Sequence, residues 1–137
     1  MGYGDWTQIT IQNKSDIKLQ INNSQLRWGK FYNCEGAPNM DTEISIDKKD
    51  VPANGSYMVG SCGRENTWSG CDGEFSLYDT TTGKAVFTVY FISPHGSSPK
   101  VFRVARQLDG WYFNYNIDLI GSGPLGSVVL EIVHVGA

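Results

Sequence analysis

Three tryptophans in this 137-residue chain have neighbours that suit a surface better than a core. Trp6 follows Asp5. Trp28 lies between Arg27 and Gly29-Lys30, and Trp68 lies in the polar run Glu65-Asn66-Thr67-Trp68-Ser69-Gly70. Indole is amphipathic. Its ring favours the boundary between lipid and water, and its face attracts a quaternary ammonium. Arg27, Lys30 and Arg64 are near these rings in sequence, and such cations bind phosphate. A zwitterionic head such as phosphocholine or phosphoethanolamine carries both groups. The bland alternative is a tryptophan that fills the core. It is preferred for Trp111, inside the run Trp111-Tyr112-Phe113-Asn114-Tyr115-Asn116, whereas Trp68 is expected to be exposed and Trp6 and Trp28 stay open.

Other chemistry is thinly represented. The chain has no G-x-x-x-x-G-K-[ST], G-x-S-x-G or H-E-x-x-H motif. His95 and Ser97 with an aspartate form the one triad that can be named, but any chain of this size offers such a trio. Asp72 and Glu74 are expected on one solvated strand face, and His134 on the rim or edge of the core. Cys34, Cys62 and Cys71 contain no C-x-x-C spacing and have no histidine beside them, which speaks against zinc. Cys62 and Cys71 could pair across a loop; free thiols are the more expected state. The chain is therefore expected to be no enzyme and to hold no cofactor and no metal.

Composition narrows the field further. Charged residues are 18% of the chain against a usual ~25%, and 40% are hydrophobic, which excludes a disordered chain. The net charge of -3 argues against nucleic acid as a partner and against bulk attraction to anionic lipid. The longest strictly apolar run, Val89-Tyr90-Phe91-Ile92, is far short of a membrane span. The start, Met1-Gly2-Tyr3-Gly4-Asp5, shows no classical signal peptide. The expectation is a soluble protein, mature or released non-classically, that becomes peripheral on a target-cell membrane. Sequons at Asn13, Asn22 and Asn54 are expected to stay unmodified.

The elements that must position these residues are short strands. Ile9 and Ile11 alternate with polar residues, as do Ile17, Leu19 and Ile21, then Ile44 and Ile46, then Phe75 and Leu77, then Val128, Leu130 and Ile132. Phe87–Phe91 and the Trp111 run are aromatic and β-branched. Turn residues separate them, among them Asn22–Ser24, Asn54-Gly55, Thr80–Lys84 and Gly121–Gly126, while Glu35–Met40 reads as a loop. About ten strands and no helical period imply an all-β chain. The reading is a single antiparallel β-sandwich or small barrel over residues 1–137. Residues 1–13 read as a tail and a strand, not as an amphipathic membrane helix.

Several pieces, in order across nearly the whole chain, resemble the aegerolysin family. They are Tyr3-x-x-Trp6, Trp28-Gly29-Lys30, Ser61-Cys62-Gly63-Arg64, Gly73-x-Phe75-x-Leu77-x-Asp79, Ser93-Pro94-His95-Gly96-Ser97 and Gly121-x-Gly123-x-Leu125-Gly126-Ser127-Val128. The resemblance implies an actinoporin-like β-sandwich that binds membrane sphingolipid, either sphingomyelin with cholesterol or ceramide phosphoethanolamine. It implies a second, larger, perforin-like protein with which the pair makes a pore, oligomerisation on the membrane, and for some bacterial members an insecticidal role. It assigns lipid binding to Trp6, Trp28 and Arg64. Trp68, Ser69 and His95 complete the expected lipid-binding rim: Ser69 falls where ostreolysin-like members have an acidic residue tied to head-group recognition, Trp68 is an added aromatic beside it, and His95 replaces a Trp of the usual turn, departures that bear on which lipid is preferred. The rival reading is a lectin, because sugars also stack on exposed aromatics.

Overall fold

The computed structural model describes residues 2–117, 119 and 121–136. A 3-10 turn at Gly2–Gly4 precedes β1 (Trp6–Asn13), β2 (Leu19–Trp28), β3 (Lys30–Asn33), β4 (Asn39–Glu43) and β5 (Asp50–Val51). There follow β6 (Ser56–Cys62), β7 (Cys71–Asp79), β8 (Ala85–Ser93), β9 (Val101–Ala105), β10 (Trp111–Tyr115) and β11 (Gly126–His134). One sheet has the order β10-β11-β1-β6-β3-β4, the other β5-β2-β7-β8-β9.

The pleat sorts the side chains. In β1, Thr7, Ile9, Ile11 and Asn13 point inward and are buried, while the residues between them are half-buried. Val128, Leu130 and Ile132 join Ile9 and Ile11 from the six-stranded sheet, and Phe75, Leu77, Phe87, Val89 and Phe91 meet them from the five-stranded one. Burying each such side chain contributes roughly 1.5–3 kcal/mol, so this two-sheet core carries the fold. Trp111 is 2% exposed within it, and His134 stacks on the Trp111 ring at the core's edge.

Four expectations need correction. The sandwich is not purely antiparallel: β1 pairs with β11 in parallel, Thr7 opposite Gly126 through Asn13 opposite Ile132. Parallel neighbours require a long crossover, and here nearly the whole chain lies between the two strands. Ile44 and Ile46 are not in a strand. They lie on an irregular link between the edge strands β4 and β5, and Ile46 is buried because that link crosses the core. Asn39 and Met40 belong to β4, not to the preceding loop. Asn22–Ser24 is no turn but a bulge inside β2, where Asn23 has φ 53°.

A second, smaller core forms on the outer side of the six-stranded sheet. Tyr32, Cys34 and Cys62 are packed by Tyr3, Trp6, Met40 and Met58. Trp6 shares the outward parity of Gln8, whose amide donates to the Tyr32 hydroxyl at 3.0 Å. Gly60 makes room: a Cβ there would lie 2.4 Å from Cys34 Sγ and 2.6 Å from the Tyr32 ring. The three cysteines are buried free thiols, so no Cys62–Cys71 disulfide exists. Burial pushes Cys34 and Cys62 up to about 11 and Cys71 up to about 12.

Candidate functional site

Strand register gathers the candidate residues at one end. Trp6 lies opposite Cys62, which also faces Lys30. Cys71 faces Ser93, Ile92 faces Val101, and Thr7 faces Gly126. The loops 63–70 and 94–100, residues 121–125 before β11 and the β2–β3 corner therefore converge there. The corner turns at Gly29, with φ 92°, where a Cβ would strike Cys71 Cβ at 2.7 Å. That turn leaves Trp28 outside and carries Lys30 inside.

A few bonds tie the loops to both sheets. Ser93 Oγ donates to the Trp6 carbonyl at 2.9 Å and accepts from Leu125 N–H at 2.9 Å. The Asp5 carbonyl accepts from Gly63 N–H at 3.2 Å, and Asp5 Oδ2 lies 3.1 Å from His95 Nδ1. Trp68 meets the His95 ring edge-on with centroids 5.2 Å apart. Asp5, His95 and Trp68 thus link the chain start to the 63–70 and 94–100 loops.

Among the predicted site residues, Trp28 is 53% exposed and Trp68 70% exposed. Ser69 is exposed, His95 is half-buried, and Trp6 is half-buried in the small core. The even choice between rim and core thus resolves differently for the two: Trp28 is on the rim, while Trp6 is partly a packing residue.

The cations differ most from expectation, because each already has an intramolecular partner. Arg27 Nε bonds Asp72 at 2.8 Å and its Nη1 bonds Glu74 at 3.3 Å. Asp72 is accordingly buried beneath Arg27 and not on a solvated face. Lys30 is buried, donates to the Tyr3 hydroxyl at 2.8 Å and lies 4.6 Å over the Tyr3 ring centroid. The Tyr3 hydroxyl in turn donates to Asp41 at 3.0 Å. Arg64 grips Glu43 with both terminal nitrogens, at 2.9 and 3.0 Å. The hydrogen bond from Arg64 holds the Glu43 carboxyl below its ordinary range. Hydrogen bonds to Asp72 and Glu43 raise the Arg27 and Arg64 guanidinium groups.

What remains outward is the aromatic surface of Trp28 and Trp68. Indole in that position can enter the interfacial layer of a membrane, and each ring contributes a few kcal/mol at most. Sequence reasoning missed Glu43 and Asp41 as partners on β4, Tyr3 as the cap on Lys30, and the Asp5–His95 link. The partners lie 21, 27 and 90 positions apart, and nothing local signals them.

The family model described as Aegerolysin matches residues 4–135. Asp-hemolysin from Aspergillus fumigatus is 30% identical, the match covering 95% of this chain and 93% of the relative. Ostreolysin A6 from Pleurotus ostreatus is 29% identical, with 99% of each chain covered. The crystal structure of IP-1A from Alcaligenes faecalis superposes with a TM-score of 0.84 at 30% identity, covering 98% of this chain and 94% of that one.

Proposed function

Because the chain belongs to the aegerolysin family, we propose that its aromatic end reads sphingolipid headgroups and that it serves as the recognising half of a two-component pore-forming cytolysin. Aegerolysins are membrane-binding proteins and not enzymes, and relatives named ostreolysin and Asp-hemolysin agree with a haemolysin-like role. The observation that carries the reading is the joint exposure of Trp28 and Trp68 at the end where four connections converge. Two large indoles left in water, beside Arg27 and Arg64 that are already paired with carboxylates, favour a zwitterionic membrane over an anionic one. Sphingomyelin with cholesterol and ceramide phosphoethanolamine are the two lipids of choice.

A larger perforin-like partner is supported by the placement of β1. A self-sufficient pore former needs a segment to insert. Here residues 7–12 are held between β11 and β6 in the interior of the six-stranded sheet. No described helix is long and apolar enough to cross a membrane. The protein is soluble until it meets its target, assembles there as an oligomer, and hands insertion to the partner. An insecticidal role follows if the target is a ceramide phosphoethanolamine membrane.

Co-sedimentation with vesicles of phosphatidylcholine alone, with sphingomyelin and cholesterol, or with ceramide phosphoethanolamine tests the lipid. Pelleting only with a sphingolipid is expected, and indifference to both overturns the reading. Dye release from the same vesicles should require a perforin-like protein added with this one. Release by this chain alone removes the two-component claim.

A further inference from the structure

We infer that the outer face of the five-stranded sheet carries a second site, for a neutral sugar, far from the membrane-reading end. Leu19, Ile21 and Leu77 point into the core, so Gln20, Asn22 and Tyr78 point outward from β2 and β7. Tyr78 faces Gln20 across the strand pair, and Asn22 faces Ser76. With Lys18, Thr80 and Gly83 these side chains line an open groove of about 570 Å³. That volume suits a ligand of one or two sugar rings.

The lining is fixed before any ligand arrives. The bulge at Asn23 turns that side chain back, and its Nδ2 donates to the Tyr78 hydroxyl. Tyr78 keeps its own O–H for donation. Asn22 Oδ1 accepts from the Asn23 backbone N–H at 3.1 Å, which leaves the Asn22 Nδ2 as a donor. Gln20 Nε2 donates to Asp50 at 3.3 Å, which leaves Oε1 as an acceptor. Thr80 is anchored through its hydroxyl to the Lys18 carbonyl at 2.7 Å.

The charged groups around the groove already have partners. Lys18 lies 3.8 Å from Asp50. Asp79 is buried, and one of its oxygens accepts from Thr81 N–H at 2.7 Å and Thr82 N–H at 3.3 Å. A phosphate would find no unshared cation in this lining. Hydroxyl groups, which donate and accept, match the amide and phenol edges, and the apolar face of a sugar ring matches the half-exposed ring of Tyr78. Two bulges shorten β2 between Gln20 and Trp28, whose partners Tyr78 and Asp72 are six residues apart on β7, so Gln20 lies roughly 20 Å from Trp28 at strand rise. A headgroup held by Trp28 cannot fill both places, and the site stands independently of the lipid reading.

Amide NMR titration with methyl galactoside, methyl mannoside, methyl glucoside and N-acetylglucosamine at millimolar concentration tests this. Shifts confined to Gln20, Asn22 and Tyr78–Thr80 with at least one sugar are expected. Asn22→Ala and Gln20→Ala remove half-buried polar groups outside the core and should keep the fold, which the remaining spectrum reports. Each should weaken that sugar about tenfold, the worth of one good hydrogen bond. Both should pellet with vesicles like the parent. Silence of these residues towards all four sugars overturns the proposal, as do larger shifts there with inorganic phosphate. Shifts centred on Trp28 and Trp68 overturn it too and return sugar binding to the aromatic end.

Discussion

At the end away from Trp28 and Trp68, the connections are short and closed by small polar groups around one buried residue. Asn13, 1% exposed, donates through Nδ2 to the carbonyls of Ile17, Val51 and Pro52 at 2.8, 3.3 and 3.1 Å. Its Oδ1 accepts from Ser15 N–H and Ser15 Oγ at 3.0 and 2.6 Å. One buried amide thereby ties the connection after β1 to the end of β5 and the turn that follows it. At the aromatic end the loops are longer, and ion pairs between distant strands hold them. Trp28 takes no part in those ion pairs, and Trp68 touches them only through the edge of the His95 ring. The contrast separates two ways of finishing a sandwich: one end spends its side chains on closure, the other leaves its largest side chains to the solvent and a partner phase.

Asn13→Ala attacks the closed end and should have the largest effect on stability. Urea unfolding should show a loss of about 3 kcal/mol, since several buried bonds fail together, with unchanged vesicle binding by the folded protein. Equal loss of binding would merge the two ends into one unit. Trp28→Ala and Trp68→Ala attack the other end. Each should weaken sphingolipid-vesicle binding by about ten- to a hundredfold, from about 1.4–2.8 kcal/mol of indole burial, while stability moves by less than about 0.5 kcal/mol. A binding loss matched by a lower unfolding midpoint would make these indoles packing residues instead. Trp6→Ala should show both effects, because Trp6 is half-buried in the small core.

The thiols sharpen the comparison on the pH axis. Cys34, Cys62 and Cys71 belong to the aromatic end or the small core beside it, and burial raises them to between about 11 and about 12. A thiol raised in the folded state lends stability that is present below its unfolded pKa near 9 and lost as pH rises through the folded value. Alkylation by iodoacetamide at pH 8 should label none of them in the native protein and all of them in urea. Thermal unfolding should fall steadily above about pH 9. Native-state labelling of Cys62 would show that the small core opens.

The smallest effect is expected from Glu43→Gln, which releases Arg64. An exposed pair contributes about 0.2–1 kcal/mol, so a phosphate-bearing headgroup able to use Arg64 should bind up to severalfold better. Glu43 is held below its ordinary range, so the pair persists above that depressed pKa and is lost as pH falls through it. Parent protein at low pH should therefore resemble the Glu43→Gln variant at pH 7 in vesicle binding. No difference between parent and variant at any pH would mean that Arg64 only fastens its loop.

Much of the fold was legible because its signal is local. Alternation over a few residues identified the inward faces of β1, β7 and β11, and the aromatic run identified β10 with Trp111 in the core. It failed at Ile44 and Ile46, where burial comes from a link crossing between sheets and carries no pleat. It failed again at Asn22–Ser24, where turn-forming residues make a bulge. The exposure of Trp68 was legible from its polar loop. Trp6 was not, because the small core that half-covers it is assembled from β3, β4 and β6 as well as the chain start.

Sequence alone determined the class of the molecule, its strand faces, its family and the residues worth watching, since periodicity, turn chemistry and motif order are written within short windows. Tertiary structure decided which of those residues are available. Arg27, Lys30 and Arg64 look alike as cations beside tryptophans, yet Asp72 with Glu74, Tyr3 and Glu43 occupy them in turn. Those partners are set by sheet order and register, which depend on the whole chain closing around one core, so no local pattern could report them.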